Sequence, residues 1–443
     1  VARLRRPRAR RPLTAARPAL VRAPVLSYKA EHVLRRLIIE NFKSIDRLEL
    51  DLGRVNLIIG ENGCGKTNIL EALGMASAAA ANTLDPASLK ARGIRVTDPT
   101  WMRSGFQHSA GTKPIQILAS STPMPVPDLG EDPVWFILYH DNSPFGQWTN
   151  RAPQTLGYHL PGKSESLRDF ATKLAETFGS SNFGPNSQVA ETHALPNLAP
   201  SDFDTTSLKL KQWYLAARIL SNAASVALPT FLTYTPHEDS LRDLARDSDI
   251  EPIGIHGEGL FKLLQVLDQE GQLQEIKEQL ALLGWFDDLS VASGTNPSTR
   301  ALQIHDVYID GRTPFDQRSA NEGFLFVLLY ACLLVSKYTP RFFAVDNVDA
   351  ALNPKLCAGI VRMFAGLTAK HDKQVILTTH NPGALDGIDL HDDEQRLFVV
   401  YRNTEGKTRA RRITPADLPS EGPPVRLSEA FLRGYIGALP TNF

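Results

Sequence analysis

The stretch VNLIIGENGCGKT, residues 55–67, decides the fold. VNLII is a short apolar run of the kind that forms a buried strand, and a glycine bounds it. Gly60 to Thr67 then fill the pattern G-x-x-x-x-G-K-[ST] in full, and the following KTNILEALGMASAAAA has helical character. Glycines in such a turn let the backbone wrap a phosphate chain, so that successive N–H groups point at it beside a helix N-terminus. Lys66 supplies a point charge for the β- and γ-phosphates, and the Thr67 hydroxyl is a ligand for Mg²⁺. The expected cofactors are therefore ATP and Mg²⁺, with Gly60, Asn62, Gly63, Gly65, Lys66, Thr67 and Asn68 as the nucleotide-binding set. Cys64 occupies a variable position of the pattern and reads as a small filler rather than a redox switch.

Outward from this loop, VLRRLIIENFKSIDRLELDL alternates like paired strands, and KPIQILAS and DPVWFILYHD add two more. Residues 142–206 turn polar and rich in Gly, Pro, Asn and Ser, with one helical island at SESLRDFATKLAETF. Helical patterns follow at 207–227, 258–270 and 272–284, with FLTYTPHEDSLRD linking strand to helix among them. Beyond LQIHDVYIDG the pattern predicts a helix over 320–336, a strand over 341–346, a helix over 354–370 and a strand over 373–379. RLFVVYRN and KTRARRI then form a hairpin-like pair. Strands and helices alternate at both ends of the chain around a largely helical middle, which predicts an α/β sheet built from two separated sequence halves.

A second stretch, FFAVDNVDAALNP at 342–354, runs four apolar residues into Asp346, as a metal-holding strand does. With these motifs in order, the chain resembles the ABC-type ATPases of the RecF/SMC/OLD group, among them the RloA-like ATPases of anti-phage defence. The resemblance rests on LRRLIIENFKSIDRLELDLGRVNLIIGENGCGKTNILEAL, on SANEGFLFVLLYACLL where a signature motif belongs, on FFAVDNVDAALNP, and on VILTTHNPGAL. It covers residues 34–80 and 300–402 and implies an ABC-type P-loop NTPase sheet sandwich with a helical insertion. The expected division is a basic segment at 1–31, a lobe with the P-loop at 32–141, a polar insertion and helical arm at 142–299, and a second lobe at 300–443.

What the resemblance implies for the site is specific. Asp346 would hold Mg²⁺ through water, and His380 would contact the γ-phosphate. Two copies would sandwich two nucleotides, each signature motif capping the nucleotide on its partner. Glu322 and Gly323 match the signature of the RecF/OLD branch, while Asn321 stands where a phosphate-contacting serine belongs; its amide N–H₂ is still a donor. Ser319 is a second candidate for that role, and Gln107 a candidate for the glutamine that senses nucleotide between the lobes.

The sequence departs from the family at one telling place. Asn347 falls where the catalytic glutamate belongs and Asn353 where the loop aspartate belongs. An amide is no base at neutral pH, although it can hydrogen-bond a water. Slow turnover and a long-lived ATP-bound dimer are expected, and Asn347→Glu is expected to raise turnover or weaken the dimer. Asp349 has two readings: a carboxylate that swings toward the γ-phosphate and rescues hydrolysis, or, more plainly, a loop aspartate that caps the helix beginning near Pro354.

Composition narrows the rest. Residues 1–30 carry eight arginines, one lysine and no acid, so the remaining 39 basic and 48 acidic residues leave a body of −9. That argues against a broad nucleic-acid face but not against a local basic groove. The opening segment itself reads as a disordered basic arm, a stretch from upstream of the true start, or a transit peptide. Cys64, Cys332 and Cys357 show no metal or disulfide spacing, which fits a reducing cytoplasm, and FLFVLLYACLLV at 324–335 is too short to span a bilayer. A cytoplasmic protein with no membrane partner is expected. DLHDDEQR and HGEGL read as loops rather than metal sites, and too little chain follows the last family strand for a nuclease domain. Lys407, Arg409, Arg411 and Arg412 of KTRARRI either touch phosphates or form a solvated strand face.

Three functions follow from the resemblance. The first is a nucleotide-gated dimeric switch acting on an effector protein in trans, as in anti-phage defence. The others are a RecF-like repair ATPase binding DNA ends or gaps, and a non-hydrolysing ATP-bound scaffold.

Overall fold

The computed structural model describes residues 33–106, 113–121, 134–143, 146–151, 228–243, 252–292, 301–309, 313–419 and 425–437. The basic opening segment, Gln107, the helical island near 164–178 and the helical pattern at 207–227 lie outside these.

In chain order the strands are β1 (Arg36–Phe42), β2 (Ile45–Asp51), β3 (Val55–Ile59), β4 (Ile115–Ser120), β5 (Val134–Tyr139), β6 (Thr149–Asn150), β7 (Thr233–Tyr234), β8 (Phe286–Ala292), β9 (Ala301–Asp306), β10 (Phe342–Val345), β11 (Gln374–Thr379), β12 (Gln395–Arg402) and β13 (Thr408–Ile413). The helices are α1 (Lys66–Ala80), α2 (Pro86–Ala91), α3 (Pro99–Met102), α4 (Glu238–Arg242), α5 (Leu260–Gln269), α6 (Leu273–Leu280), α7 (Glu322–Val335), α8 (Pro354–Lys370) and α9 (Leu427–Leu432).

Two sheets face each other. One is antiparallel, in the order β2-β1-β4-β5-β6. The other runs β13-β12-β3-β11-β10-β7, with β12, β3, β11, β10 and β7 all parallel and only β13 reversed. β3, β10 and β11 are buried along their whole length, as strands covered on both faces must be, which is why they read as mainly apolar runs, with Asn56, Gln374, Thr378 and Thr379 buried among them. Successive side chains still alternate: Ile58 joins the core between the sheets with α1, whereas Leu57 and Ile59 join the core under α7 and α8. α7 is buried from Gly323 through Val335, so its lack of any polar stripe reflects a helix enclosed on all sides.

Two features of the middle segment differ from the sequence expectation. FLTYTPHEDSLRD contains β7, and β7 belongs to the main sheet: Ala344 pairs with Thr233 and Val345 with Tyr234. A two-residue strand carries no periodic signal that could place it there. β8 and β9 form a separate antiparallel pair with a bulge between Phe286 and Asp288, and the break in alternation hides β8 in the sequence. The expected helices at 258–270 and 272–284 are present as α5 and α6. Among the described residues no helix is long and apolar enough to cross a membrane.

Candidate functional site

Parallel strands with this order present their C-terminal ends at one edge, where ligands of open α/β sheets bind. β3 leads there into Gly60, β10 into Asp346 and β11 into His380. The turn after β3 needs its glycines. Gly65 has φ +113°, a left-handed conformation costly for other residues, and a Cβ on it would stand 2.3 Å from Thr408 Oγ1. No side chain caps α1, so its first N–H groups are left for an anion.

A hydrogen-bond relay supports the loop from beneath. Asn68 Nδ2 donates to Ser44 Oγ (2.6 Å), Ser44 and Thr408 share a hydroxyl bond (2.7 Å), and Thr408 Oγ1 donates to the Cys64 carbonyl (2.8 Å). This gives the N-F-K-S turn a physical reason. Asn41 and Lys43 adopt φ of 59° and 48° to reverse the chain. Asn41 ties that turn to the Lys113 and Pro114 carbonyls and to Ser104 N, Phe42 is fully buried, and Ser44 meets the loop. Lys43 bonds Glu71 at 2.5 Å, and Arg95 Nε bonds the other oxygen of Glu71 at 2.7 Å while its NH2 reaches Asn68 Oδ1 at 3.2 Å. Glu71 is 1% exposed, so this buried carboxylate is matched by two cations. Arg402 Nε donates to the Gly63 carbonyl at 2.9 Å. Glu71, Arg95, Arg402 and Thr408 were not legible as site residues, because each acts through a partner far along the chain.

At the cation corner, Thr67 Oγ1 donates to Asp346 Oδ2 at 2.9 Å, and Thr378 Oγ1 donates to Asp346 Oδ1. A hydroxyl and a carboxylate joined in this way are hard oxygen donors suited to Mg²⁺. Lys66 Nζ donates to the Gly60 carbonyl (2.8 Å) and the Glu61 carbonyl (3.0 Å) and lies 3.3 Å from His380 Nδ1. Burial lowers the Lys66 pKa, with the charges of Cys64, Asp346 and Asp349 pulling it back up. An ammonium has only donors, so Nδ1 of His380 accepts and the ring proton sits on Nε2. Desolvation first and the Lys66 charge second hold the His380 pKa below its ordinary value, against Asp349 and Asp346. His380 is thus a neutral donor at the strand end.

The loop after β10 is built on Thr378. Asn347 N donates to Thr378 Oγ1 (2.9 Å) and Val348 N to the Thr378 carbonyl (2.9 Å). Asn347 is exposed, at φ 55°. The helix-cap reading of Asp349 is corrected: Asn353 caps α8, accepting from Leu356 N at 3.0 Å, with Pro354 as the first helical residue. Asp349 is instead half-buried, its Oδ1 fully buried and without a hydrogen-bond partner among the described residues.

The signature candidates stand at the start of α7. Asn321 caps that helix, its amide oxygen accepting from Phe324 N at 2.8 Å, so the N–H₂ is the half of the amide left to donate. Glu322 opens the helix, and a Cβ on Gly323 would lie 3.2 Å from Leu352 Cδ2. Ser319 is spent on a local turn with Asp316. Asp346 N donates to the Tyr234 carbonyl (2.9 Å), continuing the β10–β7 ladder, and beyond β7 His237 stacks on His256 with ring centroids 4.0 Å apart.

The remaining charged stretches are structural. Lys407 pairs with Asp46 and Glu405, Arg411 with Asp417, and Arg412 with Asp51 and Asp393, while Arg409 donates to the Arg47 carbonyl. KTRARRI is thus a partly solvated strand face on which Lys407, Arg411 and Arg412 are held in ion pairs. In DLHDDEQR, Asp389 and Asp392 make local turns, and Glu394 pairs with Arg35. In HGEGL, Glu258 accepts from Ser240 Oγ and His256 N, and no cluster of three or more potential metal ligands occurs among the described residues.

Loop, acid, hydroxyl and histidine are gathered at one edge of this sheet, the arrangement of a P-loop nucleotide site. Two family models match the chain. One, described as "AAA domain", covers residues 36–113, and the other, "AAA domain, putative AbiEii toxin, Type IV TA system", covers 214–386. Solved structures similar to this chain include the SMC head domain from Thermotoga maritima, at 14% identity and TM-score 0.41 over 86% of this chain and 98% of that one. The SmcHead bound to the C-winged helix domain of ScpA shares 13% identity, TM-score 0.47, over 86% and 98%. The Smc head domain with an extended coiled coil bound to the C-terminal domain of ScpA, derived from Pyrococcus furiosus, shares 13%, TM-score 0.41, over 86% and 96%. No curated protein matches the chain.

Proposed function

We propose that this chain binds ATP with Mg²⁺, hydrolyses it slowly, and serves as a nucleotide-gated dimeric switch for a protein effector in bacterial anti-phage defence. The observation that carries the reading is the joined corner of Lys66, Thr67, Asp346 and His380, linked at 2.9 Å between Thr67 and Asp346 and 3.3 Å between Lys66 and His380. Lys66 and the N–H groups of the loop would hold the β- and γ-phosphates, and Thr67 and Asp346 would hold Mg²⁺. His380 Nε2–H would donate to the γ-phosphate. A Mg²⁺ held by Thr67 and Asp346 would supply neutralisation of phosphate charge.

Slow turnover follows from Asn347, which has no carboxylate to activate water. Asn321, Glu322 and Gly323 would cap the nucleotide of a second copy. The toxin–antitoxin wording of the family model over 214–386 supports a defence role. The neutralised KTRARRI strand weighs against a DNA-binding reading, since Lys407, Arg411 and Arg412 already pair with carboxylates.

The test is to purify the protein with ATP·Mg²⁺ or ADP·Mg²⁺, measure its mass in solution, and identify what co-purifies from its native host. An ATP-dependent dimer with a distinct protein partner is expected. A monomer in both nucleotides, or salt-sensitive DNA binding with no protein partner, would overturn the reading.

A further inference from the structure

A groove of about 850 Å³ opens between the start of α8, the turn Pro382–Gly387 and α9. Its walls are fixed to one another. A Cβ on Gly383 would stand 2.6 Å from Pro354 Cβ, so the turn packs directly on the first residue of α8. Asp386 ties all three elements together. Its carbonyl accepts from Arg362 Nη1 (3.0 Å), and its carboxylate accepts from Ser428 N (2.9 Å) and Ser428 Oγ (2.8 Å). Asp386 is the one acid among the described residues lining the groove, and it is spent within the fold.

Three exposed cations line the same groove: Lys355, Arg362 and Arg426. Neither the Lys355 ammonium nor the Arg426 guanidinium has an ion-pair partner among the described residues. In this they differ from Lys407, Arg411 and Arg412, each held by a carboxylate. Beside the cations, Leu427 and Ile388 give the groove a buried apolar side, and Leu432 lies against solvent, 63% exposed. Unmatched positive charge around apolar side chains disfavours a basic chain and suits one that carries carboxylates next to an apolar residue. Both walls also continue from the nucleotide corner. Asn381 follows His380 directly, and Pro354 ends the loop that leaves Asp346.

We propose that this groove docks the effector by taking an acidic segment of that second protein. Carboxylates of the segment pair with Lys355, Arg362 and Arg426, and an apolar side chain packs on Leu427 and Leu432. Because one peptide bond joins His380 to Asn381, a nucleotide that engages His380 biases the shape of the groove and so the affinity for the effector. The proposal rests on the reading of a protein effector given above, and adds where it sits and what it presents.

The experiment uses the full chain with ATP·Mg²⁺ and the purified protein that co-purifies with it. Calorimetry gives their Kd, and hydrogen–deuterium exchange maps their contact. Lys355→Glu combined with Arg426→Glu is expected to weaken the complex at least about tenfold. Both side chains are exposed, so the fold should persist and ATP affinity should stay within about threefold. Raising salt from about 0.05 to about 0.3 M should weaken the unaltered complex more than the variant's, since exposed charges are screened. Protection is expected over residues 354–362 and 427–432 and, in the partner, over a segment rich in Asp and Glu. An unchanged Kd in the double variant, or protection confined to other segments, overturns the docking site and leaves the switch reading standing. Protection of these segments by ATP-driven self-association without the partner does the same. Absence of any ATP-dependent protein partner overturns both readings.

Discussion

Thr67 and Asp346 stand 279 positions apart in the chain and share a hydrogen bond of 2.9 Å. The pairing is made by adjacency in the sheet: β11 lies between β3 and β10, and Thr378 on β11 holds the other oxygen of Asp346. The cation corner is thus assembled from three strands whose order is set by burial rather than by sequence proximity.

If that corner holds Mg²⁺, Thr67→Ala and Asp346→Asn should each weaken Mg²⁺-dependent ATP binding by about 10–100-fold, a scale typical of residues that orient or hold a metal. Binding measured with and without EDTA checks this. Equal loss in both conditions would show that the two residues do not act through the cation.

The support under the loop gives a stability prediction. Thr408 is fully buried and its hydroxyl is bonded on both sides, so Thr408→Val should cost roughly 1–3 kcal/mol by leaving Cys64 O without this donor and the Ser44 hydroxyl with Asn68 as its one remaining partner in the relay. Thr408→Ser should recover most of it. Denaturant titration reads the stability, and ATP affinity should fall with it.

His380 sets a pH dependence. Its pKa is held below the ordinary 6.5 by desolvation and by Lys66, so as pH falls below about 6.5 the unfolded chain takes up the proton first. Stability then rises with pH across the window from the depressed value up to 6.5 and is lost as pH drops through it. Thermal unfolding of the nucleotide-free protein at pH 7 and pH 5.5 should show this loss, and His380→Gln should show less of it.

Asn347 occupies a left-handed conformation, φ 55°, that asparagine tolerates better than glutamate. Asn347→Glu should therefore lower stability by about 1 kcal/mol while raising turnover at least about tenfold. Stability and phosphate release measured on the same preparation separate the two effects. Unaltered protein turning over several times per second, with a slower Asn347→Glu, would overturn the account of this position.

Much of the site was legible because its signals are local. β3, β10 and β11 are mainly apolar and buried throughout, and the glycines, Lys66 and Thr67 keep a fixed spacing. The helix start near Pro354 was also readable, since proline favours the first helical position, but its cap was not: Asn353 fills that place rather than Asp349. The relay through Ser44, Thr408 and Cys64 was not readable, because its members are up to 364 positions apart. Nor was β7, whose two residues are placed by Ala344 and Val345 rather than by any pattern of their own.

The Thr408–Cys64 bond also orders events during synthesis. β3, with its loop, is laid down early, but its neighbours β11 and β12 and its strut at Thr408 come from the last part of the chain. A nascent polypeptide carrying Lys66 and Thr67 has the nucleotide motif without the scaffold that shapes it. Any nucleotide affinity that depends on this scaffold would then arise only once Thr408 is in place.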